Sequence, residues 1–167
     1  MHKALFARIR WVADITDPKT RSRMMSQIKS KDTKPELAIR KRLYAMGYRY
    51  RLHVKRLPGK PDIVFPGRKA LVFVNGCFWH YHDCHLFKMP ATRREWWRAK
   101  LEGNRRRDEL NQTTLLAAGW RVMVVWECAW RKKNRETEYD QITANIARWL
   151  ESTASTGLIR GKGNKNG

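Results

Sequence analysis

Apolar residues change period several times along this chain, and each change marks an element. Leu37, Ile39, Leu43 and Tyr44 form a helical stripe behind Thr33-Lys34-Pro35-Glu36, a threonine three residues ahead of a glutamate with proline in the first turn. Gly47 stops this predicted helix. From Tyr48 to His53 aromatic or aliphatic residues alternate with basic ones, the period of two expected of a half-exposed strand. Pro58-Gly59 turns the chain into a second strand from Asp62 to Phe65, and Pro66-Gly67 turns it again. Ala70 to Val74 is almost purely apolar, which suits a strand buried on both faces.

A long loop follows. Thr92-Arg93-Arg94-Glu95 repeats the capping arrangement and opens a charged helix that runs to about Ala118, where Gly119 ends it. Trp120 to Trp126 reads as a fourth buried strand. Glu138 to Leu150 reads as a final amphipathic helix, with Ile142, Ile146, Trp149 and Leu150 on one face. Helix, three strands, helix, strand, helix predicts an α/β fold: a mixed sheet flanked by helices.

Composition narrows the partner. The 167 residues suit one domain, and 36 Lys and Arg against 15 Asp and Glu give a formal charge of +21. So large a single-sign excess points to a polyanion, nucleic acid first. No apolar run approaches the ~20 residues of a spanning helix, so no membrane partner is expected. Eight tryptophans supply flat faces that stack on bases or wedge between them, although core packing explains any one of them equally well. The start of the chain, to about residue 16, reads as a mobile basic arm. Residues 152–167, rich in Gly, Lys and Asn towards the end, read as a disordered basic tail after a single domain at 17–151.

The loop carries the chemistry. Gly76-Cys77-Phe78-Trp79-His80-Tyr81-His82-Asp83-Cys84-His85 combines two cysteines with three histidines, and the third cysteine, Cys128, ends the last apolar run. Three thiolates and one imidazole make a closed tetrahedral zinc shell, structural rather than catalytic. From spacing, either His80 or His82 can be the fourth ligand. Cysteines arranged for a metal fit a reducing cytoplasm. Just upstream, Asp62 stands at the head of a strand, where an acidic residue faces the open end of the sheet. It can anchor magnesium for phosphodiester hydrolysis, with Glu36 as a second carboxylate. The plain alternatives are a solubility charge at Asp62 and a helix-capping role at Glu36.

Asp17-Pro18, Thr20-Arg21-Ser22 with Met25, Pro58-Gly59-Lys60-Pro61-Asp62, Gly76-Cys77-Phe78-Trp79-His80, Gly119-Trp120-Arg121-Val122 and Trp126-Glu127-Cys128 closely resemble the very-short-patch repair endonucleases. The resemblance runs from about Asp17 to Arg131. It implies a restriction-endonuclease-like core with a structural zinc and a magnesium-dependent nicking activity. It further implies a substrate, duplex DNA with a T:G mismatch left by deamination of 5-methylcytosine, cut 5′ of the mispaired T to start short-patch repair. A monomer acting in the bacterial cytoplasm, on nucleoid DNA and alongside other DNA repair proteins, is the corresponding expectation.

Residue by residue, the resemblance puts the catalytic aspartate at Asp62 and the helix carboxylate at Glu36. It puts the zinc ligands at Cys77, His82, Cys84 and Cys128. His80 becomes the base for the attacking water, with Asp108 supporting it. Phe78, Trp79 and Trp97 would enter the duplex, and Met25 would reach the opposite groove. Related restriction-type enzymes carry an acidic residue and a lysine on the third strand, where this chain has Phe73-Val74-Asn75. The repair family uses a backbone carbonyl for magnesium instead, here that of Val74. Asn75 stands where some members have histidine and cannot shuttle protons, though it can hold a water by hydrogen bonding. Two other readings compete: a restriction or branched-DNA nuclease on the same fold, and a zinc-braced DNA-binding protein without catalysis.

Overall fold

The computed structural model describes Lys19, residues 32–131 and residues 134–161. Met25 and the expected arm at 1–16 lie outside the described residues. Helix α1 spans Lys34–Ala45, strand β1 Ile63–Phe65 and strand β2 Ala70–Asn75. Helix α2 spans Arg94–Ala117, β3 Arg121–Trp126, α3 Arg135–Glu151 and β4 Thr156–Ile159.

The four strands lie in chain order in one sheet. β1 and β2 are antiparallel, as their tight turn requires, while β2–β3 and β3–β4 are parallel and joined through α2 and α3. Alternation along the strands splits the core into two layers. Ala70 and Val72 of β2 face one way and pack with Ile39 and Leu43 of α1 and Ile146 and Leu150 of α3. Leu71 and Phe73 face the other way, against Leu115 of α2 with Val122 and Val124 of β3. Ile39, Leu43 and Ile146 are wholly buried, and each such side chain contributes roughly 1.5–3 kcal/mol.

Four local expectations change. The strand expected over Tyr48–His53 shrinks to one bridge between Arg51 and Val64. The alternation there is real, since Tyr48 and Tyr50 set their rings edge-on to Phe65 at 6.3 and 6.1 Å, but His53 takes φ +50° and leads the chain away. The second helix begins at Arg94 rather than at a threonine cap, because Arg93 takes a left-handed conformation in the cap position. At α1 the Thr33 hydroxyl donates to the Glu36 carboxylate instead of capping a backbone N–H.

The tail is the fourth. Thr156–Ile159 is ordered and pairs in parallel with Val122–Val125. Its alternating exposure is that of an edge strand. Gly157 lies against the end of the Met123 side chain, which would have to shift to admit a Cβ there. Arg121 ties this return by donating to the carbonyls of Ala154, Leu150 and Trp149.

Candidate active site and metal centre

The sheet order places the ends of β1 and β2 beside the start of α1 and the middle of α2. Between them opens a cleft of about 820 Å³, whose walls include Glu36, Asp62, Val74, Trp79, His80 and Asp108. Asp62 immediately precedes β1, and its backbone N–H donates to the Val72 carbonyl at 3.2 Å. Its carboxylate accepts the Val74 N–H at 2.7 Å. Burial pushes the Asp62 carboxyl up to about 6. The Val74 hydrogen bond opposes that rise, the charge of Glu36 adds to it, and Arg40 and His80 oppose it.

Glu36 is buried and saturated with donors. Its carboxylate accepts from the Thr33 hydroxyl at 2.7 Å, the Asp32 N–H at 3.0 Å and the Arg40 guanidinium at 2.6 Å. Arg40 also donates to Asp32 at 2.5 Å. These donors fix the orientation of a carboxylate next to Asp62. Asn75, at the end of β2, is buried against the same cleft.

The loop between β2 and α2 winds around Cys77. His80 N–H donates to the Gly76 carbonyl, Tyr81 N–H to Phe78 and His82 N–H to Cys77. The winding sends the two histidines to different places, which spacing alone left open. His82 Nδ1 lies 3.3 Å from Cys77 Sγ and 3.7 Å from Cys128 Sγ, with its ring stacked 4.0 Å from that of Trp126. His80 turns into the cleft, its Nδ1 2.6 Å from the Asp108 carboxylate on α2.

One ligand atom each from Cys77, His82, Cys84 and Cys128 lies within 4.8 Å of the others. Zinc–ligand bonds of roughly 2.0–2.3 Å give tetrahedral edges of roughly 3.3–3.8 Å, so this set needs only a slight contraction to close on one ion. Burial holds the Cys77 and Cys128 thiols above their ordinary range, and the Gly161 N–H, 3.2 Å from Cys128 Sγ, works the other way. Burial, then the charge of Arg160, lowers the pKa of His82 and so favours the neutral imidazole that a metal takes. Three sulfurs and one neutral nitrogen fit zinc and could hold it, with no position left for substrate.

Beside the cleft the aromatic residues form one cluster. Phe78 lies 5.1 Å from Trp79 and 5.3 Å from Trp97, and Trp79 lies 6.1 Å from Trp97. All three are half-buried, whereas Trp96 is exposed, with Arg93 4.7 Å above its ring.

Comparison with known proteins decides the family. Residues 13–86 match the family described as DNA mismatch endonuclease Vsr. The DNA mismatch endonuclease Vsr of Escherichia coli K12 is 38% identical over 152 residues, covering 91% of this chain and 97% of that protein. The chain belongs to the Vsr family. A type II nicking enzyme of Xanthomonas oryzae, V.XorIIP, is 50% identical over 117 residues, 70% of this chain and 86% of that enzyme. Another from Neisseria meningitidis, V.NmeAIP, is 43% identical over 122 residues, 73% of this chain and 87% of its own.

As a Vsr-family protein the chain is a DNA endonuclease on a mixed, helix-flanked sheet, and a nuclease of this family implies a divalent metal. No described helix is long and apolar enough to cross a membrane. Within this Vsr-family site three residues went unread in the sequence. Arg40 holds Glu36 from one turn further along α1, a spacing legible in a helix. Glu127 accepts the Cys77 N–H at 3.1 Å and pairs with Arg131 at 3.0 Å, tying the metal loop to the cleft. Asn104 donates to the Trp79 carbonyl at 2.9 Å and steadies the aromatic cluster, a contact without a sequence signal.

Proposed function

We propose that this protein nicks duplex DNA on the 5′ side of the mispaired T in a T:G mismatch, such as deamination of 5-methylcytosine leaves, and so starts short-patch repair. The observation that carries the reading is the opening of Asp62 and the His80–Asp108 pair onto one cleft beside the Phe78–Trp79–Trp97 cluster. Chemistry on the phosphate and insertion into the stack are then adjacent.

A carboxylate can only accept, so His80 donates Nδ1–H to Asp108 and keeps the Nε2 lone pair. His80 Nε2 takes the proton of the attacking water, and Asp108 holds the ring and offsets the imidazolium that forms. The Asp62 carboxylate and the Val74 carbonyl would hold magnesium, with Glu36 acting through hydrogen-bonded water. When bound, the ion neutralises charge on the phosphate and favours attack by water. Cys77, His82, Cys84 and Cys128 would hold zinc and brace the loop that carries His80 and the aromatics.

A T:G wobble keeps an almost regular outline, so insertion of Phe78, Trp79 and Trp97 would read the lower cost of opening its stack. Lys and Arg supply affinity that ignores sequence. The protein would act as a monomer on bacterial nucleoid DNA in the cytoplasm. The test is an assay of labelled T:G, C:G and branched duplexes with and without magnesium. Magnesium-dependent nicking of T:G alone is the expected result. Preference for matched or branched DNA would replace this reading with a restriction or resolving nuclease, and binding without cleavage would replace it with a zinc-braced binding protein.

A further inference from the structure

Beyond what a magnesium at Asp62 would offset, the side chains named so far leave one requirement of the cleft's charge balance unmet. Asp62 and Glu36 are both acidic, and a phosphodiester brings a further negative charge that grows as the phosphorus is attacked. Arg40 is buried and committed to Glu36 and Asp32, and Arg131 pairs with Glu127 at the edge of the cleft. The strand position next to Asp62, Phe73-Val74-Asn75, supplies no cation.

Lys60 lines the same cleft two residues before Asp62. No described carboxylate forms an ion pair with it, since every pair found involves other residues. Its backbone is unusually well fixed for an exposed lysine. Lys60 has φ +51°, a left-handed conformation rare outside glycine, directly after Gly59 at φ +71°. Its N–H donates to the Leu57 carbonyl at 3.2 Å, and the following Pro61 is buried. Gly59 sits close against its neighbours, since a Cβ there would lie a tight 3.2 Å from the Phe73 ring and 3.1 Å from the Asn111 amide. The loop is therefore pressed against the sheet and against α2 at the level of the cleft. Strain of this kind persists where surrounding packing over-determines it, and it collects at functional sites.

We infer that Lys60 is a catalytic residue that binds a non-bridging oxygen of the scissile phosphate and stabilises the charge that develops there. The inference rests on the phosphodiester chemistry of the cleft and is independent of which base pair is recognised. The water oxygen forms the new bond to phosphorus, His80 receives the water proton, and the bond from phosphorus to the leaving sugar oxygen breaks with its electron pair. Lys60 transfers nothing; its ammonium donates a hydrogen bond throughout, shortest where the oxygen is most negative. Lys55 lines the cleft as well, but it stands seven residues before Asp62 and is not among the residues with positive φ.

The test is single-turnover nicking at saturating protein, on whichever duplex the unmodified chain cleaves. Lys60→Asn removes the charge and keeps a residue that tolerates φ near +50°. The expected result is a fall of ~10²–10³-fold in rate, the usual effect of removing one preorganised donor to a developing charge. Duplex affinity should change by less than about tenfold, with the salt dependence flattened by about one contact. Lys60→Arg should restore most of the rate, and Lys41→Asn on the exposed face of α1 should leave it unchanged. Melting temperature and zinc content, measured on each variant, separate loss of folding from loss of chemistry, and Lys60→Gly serves as a second variant without backbone strain. Nicking by Lys60→Asn at the unmodified rate overturns the inference. So does a loss that appears only in affinity and vanishes at saturation. A shift in base-pair preference of the unmodified chain would bear on the mismatch reading alone.

Discussion

His80 Nδ1 lies 2.6 Å from Asp108 Oδ2, a contact between the β2–α2 loop and the middle of α2. Packing of Leu115 on α2 against Leu71 and Phe73 of β2 and Val122 and Val124 of β3 helps to bring the two together.

From this contact comes the first prediction. His80→Ala should slow nicking by ~10²–10⁴-fold, the usual worth of a positioned base, with zinc retained. Asp108→Asn should slow it too, by allowing the wrong tautomer. Release of zinc by His80→Ala but not by His82→Ala would mean that the two histidines have been exchanged.

Zinc is the second. Metal analysis of the purified protein should return one zinc per chain, and Cys84→Ala should unfold the loop or the whole domain. A structural zinc contributes on the order of 10 kcal/mol to folding, comparable to the whole net stability of a domain. A well-folded protein holding far less than one equivalent would remove the assignment.

Asp62 yields a pH dependence of unusual sign. Its carboxyl is raised from 3.8 to about 6 in the fold, so between those values the folded state holds a proton that the unfolded chain has lost. Stability from this group therefore falls as pH rises from about 4 to about 6 and stays low above. Asp62→Asn, measured in chelator, should match the unmodified chain below about pH 4. At neutral pH it should be more stable by up to ~3 kcal/mol, from about 1.36 kcal/mol per pH unit, while nicking is abolished. Equal melting of the two proteins at pH 7.5 would show that the carboxylate is not destabilised by its site.

The aromatic cluster provides the fourth. Trp79→Ala should lower both the nicking rate and the ratio of T:G to C:G cleavage without loss of zinc. An unchanged ratio would exclude the wedge and leave recognition to groove contacts.

Periodicity and turn chemistry, read along the chain, locate α1, β2, β3 and α3 to within a few residues, because the spacing of apolar residues and the flanking Pro and Gly lie within each element's own sequence. The four metal donors and Asp62 were legible for a different reason: few backgrounds call for those residue types together. Local rules failed where another partner competed. Thr33 gives its hydroxyl to Glu36, a carboxylate that Arg40 and the Asp32 N–H also hold. Thr156–Ile159 is unremarkable as sequence, and becomes a strand because β3 offers an open edge, with Gly157 seated against the Met123 side chain.

What the sequence by itself determined is a composition fit for nucleic acid, a helix-flanked sheet and a cysteine–histidine set that could hold a metal ion. Spacing left open which histidine meets the cysteines, and the family resemblance assigned His82. The tertiary structure sets His82 beside the cysteines and His80 against Asp108. That Lys60 faces the same cleft as Asp62 came from tertiary structure alone. The reason is geometric. Residue type and spacing set which groups are within reach of one another, but their direction depends on how the β2–α2 loop and the Pro58–Pro61 turn are pressed against elements distant in the chain.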